Sequence, residues 1–255
     1  MSSSLISMVR DLKLKRGRER RGLALAEGVR LVEEAQAAGL GIRGAIIGPA
    51  LEATARGKSL KAALLSAGVP MHEVPSDELR TLADTDHPQG IIAVIAPPRW
   101  SLDHIVMRPR DTILVLDGVQ DPGNVGTLAR TAFGLGARGL VALPGTADLT
   151  NPKVLRSGMG ATFRLPCVAA GLDEFAAWAS AESVTLWVAA AGAEPVRGID
   201  RPERLALVVG NEGAGVSPAM LSAARRSVAI PLAEGAESLN VAAAAAILLY
   251  EVKRD

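Results

Sequence analysis

Residues 208–217 read VVGNEGAGVS, and residues 228–241 read VAIPLAEGAESLNV. In each stretch an apolar strand breaks into small, turn-forming residues, and a helix follows. Such a break leaves backbone N–H and C=O groups free to hold a small polar ligand. Because the two stretches lie close together in the chain, they predict one shared ligand pocket.

The same pattern occurs once more upstream, in residues 112–126, which read TILVLDGVQDPGNVG. An apolar run typical of a buried strand opens into a turn rich in Gly and Pro, and a helix that carries Arg130 follows. In parallel sheets ligands bind at the carboxyl ends of the strands, where these turns are expected.

The three segments resemble the motifs of the SpoU (TrmH-like) branch of the SPOUT RNA methyltransferases. The matching residues are 121–131 (DPGNVGTLART), 210–215 (GNEGAG), and the stretch from Ile230-Pro231 to SLNV at 238–241. The resemblance covers nearly the whole chain. It implies an enzyme that transfers a methyl group from S-adenosylmethionine to a ribose 2′-hydroxyl of RNA.

Alternating strands and helices along the chain predict an α/β protein of two domains. Residues 1–98 are expected to form a small α/β sandwich, which resembles the ribosomal-protein-like module that holds RNA in SpoU enzymes. The Pro-rich segment 99–110 is the expected linker. Residues 111–255 then form the SPOUT methyltransferase domain, with a parallel sheet and crossover helices. The resemblance adds a trefoil knot, whose loops form the cofactor pocket.

Methyl transfer to a hydroxyl requires an aligned donor, a positioned hydroxyl and stabilisation of charge on oxygen. The resemblance assigns the catalytic site to Arg130, Asn124, Glu212, Ser238 and Asn240. A guanidinium keeps its proton far above neutral pH. We therefore expect Arg130 to hold ribose or phosphate and to stabilise the developing alkoxide, although a role as base is left open.

Without the motifs, the same residues have simpler interpretations. Arg130 would be a surface arginine on an amphipathic helix, Asn124 a helix N-cap, and Glu212 a solvated loop residue. With the motifs, Glu212 is expected to orient Arg130 or a substrate hydroxyl. Ser238 and Asn240 are expected to cap the last helix and to lie beside cofactor and ribose.

The cofactor pocket is expected to consist mostly of backbone, because adenine can pair with amides and because glycine permits a close approach. The expected cofactor-binding residues are Leu143, Pro144, Ala190, Ala191, Gly192, Gly210, Asn211, Gly213, Gly215, Ile230, Leu232, Ser238 and Leu239.

The net charge of +1 excludes a polyelectrolyte binder, yet residues 1–22 contain seven Lys or Arg against Asp11 and Glu19. A local basic patch of this kind can bind phosphate. The alternative is a solvated helix surface. The expected RNA-binding residues of this patch are Arg16, Arg18, Arg20 and Arg21. Residues 151–157 also resemble a family segment, which implies that Lys153 and Arg156 reach RNA phosphates; helix-surface charges are the alternative.

Other features limit the partners. Cys167 is the only cysteine, and three dispersed histidines lack ligand spacing, so we predict no metal site and a buried thiol.

The longest apolar run, 241–250, is too short for a bilayer, and we expect a soluble cytoplasmic protein. The small residues of that run, together with the resemblance, predict a homodimer through the C-terminal domain.

Two other function classes compete with this interpretation. A Rossmann-type enzyme needs a G-x-G-x-x-G turn after its first strand, and the spacing in residues 118–126 is wrong for it. A catalytically silent RNA-binding paralogue would be expected to lack residues such as Asn124 or Arg130, and all are present. The two-domain plan favours 23S ribosomal RNA as substrate, with tRNA as the alternative.

Overall fold

The computed structural model describes residues 2–253. The chain divides into two compact units. The first comprises Met1–Arg99 together with Thr150–Phe163, and the second comprises Trp100–Leu149 together with Arg164–Asp255. The sequence predicts that residues 150–163 belong to the second domain, whereas in the structure they pack with the first unit.

The secondary structure follows the expected alternation of strands and helices. The helices are α1 (Ser2–Leu12), α2 (Lys15–Arg21), α3 (Val29–Ala37), α4 (Ala55–Ser66), α5 (Ser76–Leu82), α6 (Pro122–Gly134), α7 (Pro152–Gly158), α8 (Ala161–Arg164), α9 (Leu172–Ala181), α10 (Pro218–Ala223) and α11 (Val241–Lys253). The strands are β1 (Ala24–Glu27), β2 (Ile42–Ile47), β3 (Met71–Glu73), β4 (Ile91–Ile95), β5 (Asp111–Asp117), β6 (Leu140–Ala142), β7 (Cys167–Ala169), β8 (Thr185–Pro195), β9 (Arg204–Gly210) and β10 (Arg226–Ala229). Short 3-10 helices span Pro49–Ala53 and Leu102–His104.

The first unit contains a mixed sheet with strand order β1-β4-β2-β3. Strand β4 is antiparallel to both β1 and β2, while β3 runs parallel to β2. Successive side chains of a strand point to opposite faces. Ile91, Ala93 and Ile95 accordingly belong to the core under α3 and α4, whereas Ile92 and Val94 belong to the core under α1 and α5. Both faces of this sheet are therefore covered.

The second unit contains a six-stranded sheet with order β10-β8-β9-β5-β6-β7, and every neighbouring pair is parallel. Strand β5 is buried along its whole length, as expected for a central strand covered on both faces. Asp117 at the end of β5 pairs with Gly210 at the end of β9. The turns that carry the first and second motifs therefore begin side by side.

The expectation for segment 99–110 needs correction. The expected linker is ordered against the second unit, because Leu102, Ile105 and Met107 are buried in its core. The trefoil knot stays a prediction. No helix within residues 2–253 is long and apolar enough to cross a membrane.

Candidate active site

The first-motif turn places Asn124 inside a helix rather than at its cap. The cap of α6 is Asp121, whose Oδ1 accepts a hydrogen bond from the backbone N–H of Asn124 at 2.8 Å, and Pro122 occupies the first turn. The interpretation of Asn124 as the N-cap is therefore wrong. Since Asp121 satisfies the helix end, the side-chain amide of Asn124 can bond elsewhere.

The second-motif turn is a tight loop closed by its own backbone. Asn211 and Gly215 exchange two N–H···O bonds of 2.9 Å. A Cβ at Gly210 would lie 2.2 Å from the backbone of Gly215, so the loop can close only over a glycine. The Asn211 side chain holds the loop from inside. Its Oδ1 accepts from the N–H groups of Gly213 and Ala214, and its Nδ2 donates to the carbonyl of Gly118, each at 2.9 Å.

Asn240 of the third motif is the cap of the last helix. Its Oδ1 accepts from the N–H groups of Ala242 at 3.0 Å and Ala243 at 3.3 Å. This confirms the expectation that Asn240 caps α11, while no capping bond from Ser238 occurs in residues 2–253. The Asn240 amide then points outward, and its Nδ2 donates to Asn124 Oδ1 at 3.1 Å.

Asn124 joins the second and third motifs through one amide group. Its Nδ2 donates to Glu212 Oε1 at 2.9 Å, and its Oδ1 accepts from Asn240. Glu212 Oε2 also accepts from the N–H of Gln120 at 3.5 Å. The resulting row, Glu212–Asn124–Asn240, is called the amide row below.

The charge of Glu212 is stabilised where it lies. Desolvation acts to raise the pKa of this carboxyl, but hydrogen bonds from the Asn124 amide and from the N–H groups of residues 212, 120 and 121 together hold the pKa below its ordinary value. Glu212 is therefore a carboxylate at neutral pH and can only accept hydrogen bonds. This fixes the direction of the amide row: Asn124 must present its NH₂ to Glu212.

Two residues that the sequence analysis did not single out support these loops. The buried carboxylate of Asp117 accepts from the N–H of Ser217 at 2.7 Å. The Thr146 hydroxyl donates to the carbonyl of Leu116 at 2.9 Å and accepts from the N–H of Gly118 at 3.1 Å. An aspartate that ends an apolar strand was a visible signal in the sequence. Thr146 gave no such signal.

A cavity of about 540 Å³ lies beside the amide row. The middle of β8, the end of β9, the end of β10 with the segment after it, and the first turns of α11 supply its walls. Of the expected cofactor-binding residues, the lining contains Ala190, Ala191, Gly210, Asn211, Gly213, Gly215, Ile230, Leu232, Ser238 and Leu239. It does not include Leu143, Pro144 or Gly192. It also contains residues that were not expected, among them Glu237, Ala244 and Leu248.

The structure does not bring Arg130 to Glu212. Arg130 is exposed on α6, and within residues 2–253 it makes no hydrogen bond or ion pair. Glu212 instead bonds Asn124, so the expectation that it orients Arg130 is not met in this chain. Arg130 and Asn124 lie six residues apart on one helix, which places the guanidinium and the amide row on the same element. Ser238 is exposed at the cavity wall.

Comparison with known proteins identifies the family of this chain. The SpoU rRNA Methylase family model matches residues 111–250, which include all three motifs. The chain belongs to the SpoU rRNA methylase family. The model of an MRM3-like substrate binding domain matches residues 4–93, the part of the chain that forms most of the first unit.

Full-length relatives of this SpoU chain are known. The 23S rRNA (guanosine(2553)-2′-O)-methyltransferase RlmP of Bacillus subtilis (strain 168) is 36% identical over 96% of this chain and 94% of its own length. The mitochondrial rRNA methyltransferase 3 of Homo sapiens is 29% identical over 98% of this chain and 72% of its own.

Crystal structures of SpoU proteins share the fold over almost the whole chain. The SpoU methyltransferase AviRb from Streptomyces viridochromogenes, in complex with the cofactor AdoMet, superposes with a TM-score of 0.86 at 29% identity, covering 97% of this chain and 96% of AviRb. An AdoMet-bound rRNA methyltransferase from Sinorhizobium meliloti superposes with a TM-score of 0.84 at 30% identity, covering 98% of this chain and 94% of that protein. These likenesses confirm the expected α/β fold with a parallel sheet.

The basic residues expected to bind RNA lie in the first unit and differ in availability. Arg18 is buried, and its Nη1 donates to the carbonyls of Leu12 at 3.1 Å and Lys13 at 2.9 Å. It therefore holds the turn between α1 and α2 and is not presented to RNA, which corrects the expectation. Arg16 is exposed.

The remaining expected cations are partly engaged. Arg21 and Arg20 bond Asp11 and hold the pKa of that carboxyl below its ordinary value. Lys153 is exposed on α7. Arg156 forms an ion pair with Asp84, in which Nη2 lies 2.9 Å from Oδ2.

Cys167 is buried at the start of β7, as expected. Burial raises the pKa of its thiol to about 12, so the thiolate does not form at neutral pH. The side chain therefore acts as a small apolar group of the second unit.

Proposed function

We propose that this SpoU protein transfers the methyl group of S-adenosylmethionine to a ribose 2′-hydroxyl of 23S rRNA. The observation that carries the proposal is the amide row beside the cavity of about 540 Å³. A pocket of this size, lined by glycines, alanines and strand-end loops, suits a nucleoside cofactor. A fixed row of amide and carboxylate groups at its side suits a hydroxyl that must be positioned.

The residues of the cavity fit S-adenosylmethionine. Gly210 keeps the backbone of the second-motif loop close to the cavity, where N–H and C=O groups can meet the adenine edge. Alanine side chains and Leu248 supply an apolar wall for the ring. The cofactor carries cationic sulfonium and ammonium groups, and the carboxylates of Glu212 and Glu237 line the same cavity. The bound cofactor supplies the electrophilic methyl group.

The protein's own residues position the hydroxyl and stabilise charge. Asn124 and Asn240 are amides held in one orientation, because Glu212 fixes the first and α11 fixes the second. Such preorganised dipoles stabilise charge that develops on oxygen. A guanidinium group has no acceptor for a proton, so Arg130 would stabilise an alkoxide or hold a phosphate.

Ribosomal RNA is the substrate that the relatives support. RlmP of B. subtilis is named as a 23S rRNA ribose methyltransferase, and it aligns with nearly the whole of this chain. A domain of the MRM3-like substrate-binding type also occupies residues 4–93. A tRNA substrate remains the alternative to be tested.

The experiment incubates purified full-length protein and methyl-labelled S-adenosylmethionine with separate transcripts of 23S rRNA, 16S rRNA and a tRNA pool. We expect label in 23S rRNA alone, recovered as a 2′-O-methyl nucleoside and as an alkali-resistant dinucleotide. Arg130→Ala protein is the inactive control. Label in tRNA alone would refute the substrate. Binding of cofactor without label in any RNA would favour a silent RNA-binding protein.

We further propose that the chain acts as a homodimer through its second unit. On α11, Ala243, Ile247 and Tyr250 lie at helical spacing and are exposed, and α11 packs against α6, which exposes Phe133. Exposed apolar side chains grouped on two packed helices are typical of an interface. Arg130 lies three residues from Phe133, so the dimer would bring the partner chain near the catalytic arginine.

A further inference from the structure

A second cavity, of about 170 Å³, is lined only by residues of the first unit. The start of α3, the loop before β4 and the end of α7 line it. Its basic side chains are Arg30, His87 and Arg156. The motifs of the sequence do not include Arg30 or His87. Arg156 comes from the segment 150–163, so both parts of the first unit build this cavity.

The loop beside the cavity is held by a buried carboxylate. Glu27 is 6% exposed and accepts from the N–H groups of Asp84 at 2.7 Å and Thr85 at 3.2 Å, and also from the Thr85 hydroxyl. A buried carboxylate is tolerated when such donors satisfy it. Arg156 makes a second contact with this loop, in which its Nη2 lies 2.9 Å from Asp84 Oδ2. The cavity wall is therefore preorganised before any ligand binds.

Two guanidinium groups at this cavity, those of Arg156 and Arg30, have hydrogen-bond donors without a partner among the described residues. Arg156 Nη1 is buried without a hydrogen-bond partner among the described residues, and it lies 3.8 Å from Glu27 Oε2. Arg30 is exposed and makes no hydrogen bond or ion pair within residues 2–253. The N-terminus of α3, where Gln89 Oε1 accepts from the N–H of Val29 at 3.0 Å, contributes its positive end.

We propose that this cavity binds one phosphate of the RNA backbone, held by Arg30, Arg156 and His87, with the attached ribose against Met159. Arg156 counters the charge of the Glu27 carboxylate at 3.8 Å, and Arg30 makes no ion pair within residues 2–253, so the Arg30 charge is available to an anion. Guanidinium groups and helix N-termini are the donors that phosphate prefers. The inference rests on the proposed function only for the identity of the RNA.

The test measures binding of full-length protein to a 23S rRNA transcript over a range of salt concentrations. The variants are Arg30→Ala and His87→Ala, and the control is Arg43→Ala, which removes an exposed arginine from β2 of the same unit. Because Arg30 and His87 are exposed, the variants should fold, and melting curves check this. We expect Arg30→Ala to weaken RNA binding about tenfold and to lower the salt slope by about one. Cofactor affinity, measured by calorimetry, should not change.

Equal RNA affinity and salt slope in Arg30→Ala and Arg43→Ala would overturn the proposal, even if the wild type methylates 23S rRNA. Conversely, loss of RNA binding in Arg30→Ala would uphold it even if no methylation is found. Inorganic phosphate and adenosine monophosphate serve as competing probes. If either stabilises the wild type but not Arg30→Ala, while RNA binding is equal in both, the cavity binds a free phosphate and the RNA proposal is wrong.

Discussion

Asn124 Nδ2 lies 2.9 Å from Glu212 Oε1, although 88 positions separate the two residues in the sequence. The contact joins the first motif to the second at the paired ends of β5 and β9. Since Asn124 also accepts from Asn240, its amide cannot rotate without losing both bonds. The orientation of the site is therefore set by the Glu212 carboxylate.

This relationship predicts a change in the titration of Glu212. In Asn124→Ala the side-chain hydrogen bond that lowers the pKa of Glu212 is lost, so the pKa should rise. Carbon-detected NMR of the carboxyl group measures it in both proteins. The pKa of Glu212 is lower in the folded state, so the bond stabilises the fold at pH values above the ordinary pKa of 4.5. This stabilisation is lost as the pH falls through the lower folded-state pKa. An unchanged pKa in Asn124→Ala would contradict the assigned contact.

Arg130→Ala should abolish methyl transfer and leave cofactor affinity nearly intact. Arg130 is exposed and makes no bond within the described residues, so its removal leaves the fold unchanged, while charge stabilisation at oxygen is lost. The loss of such a group lowers the rate by about two to three decades. Single-turnover kinetics on 23S rRNA measure it, with Arg130→Lys as the variant that keeps the charge. Activity of Arg130→Ala within about threefold of wild type would remove this residue from the mechanism.

The two neighbouring arginines Arg16 and Arg18 should behave differently. Arg18→Ala leaves the carbonyls of Leu12 and Lys13 without their donor, so the free energy of unfolding should fall by about 2–3 kcal/mol. Arg16→Ala changes an exposed side chain and should alter it by less than about 0.5 kcal/mol. Urea denaturation of both variants makes the comparison. RNA binding should weaken in a salt-dependent way for Arg16→Ala. Equal free energies of unfolding in Arg16→Ala and Arg18→Ala would contradict the role of Arg18 in stabilising the turn between α1 and α2.

Ile247→Asp should dissociate the proposed dimer. Ile247 is 40% exposed on α11, so the aspartate is solvated in the single chain but would be buried without a partner in an interface. Leu65→Asp, at 59% exposure on α4 of the first unit, is the matched control and should change nothing. Sedimentation equilibrium at micromolar concentration gives the mass of each. A wild-type species of 26.4 kDa with full activity would contradict both the dimer and its catalytic role.

The sequence by itself determined the family, the α/β class and the three turns of the site. The reason is local: an apolar strand that ends in Gly, Asn and Pro has few alternative conformations, and the capping role of Asn240 follows from its place before an Ala-rich helix. Ten of the expected cavity residues also follow from their position at strand ends.

Only the tertiary structure decided which side chains meet. In the structure Asn124, and not Arg130, bonds to Glu212. Arg18 is buried, although it belongs to a basic segment that was expected to face RNA. Residues 150–163 belong to the first unit. These outcomes depend on contacts between residues far apart in the chain, whose distances and burial no local pattern encodes. A run of arginines has the same composition whether its members point to solvent or to a carbonyl, and packing alone distinguishes them.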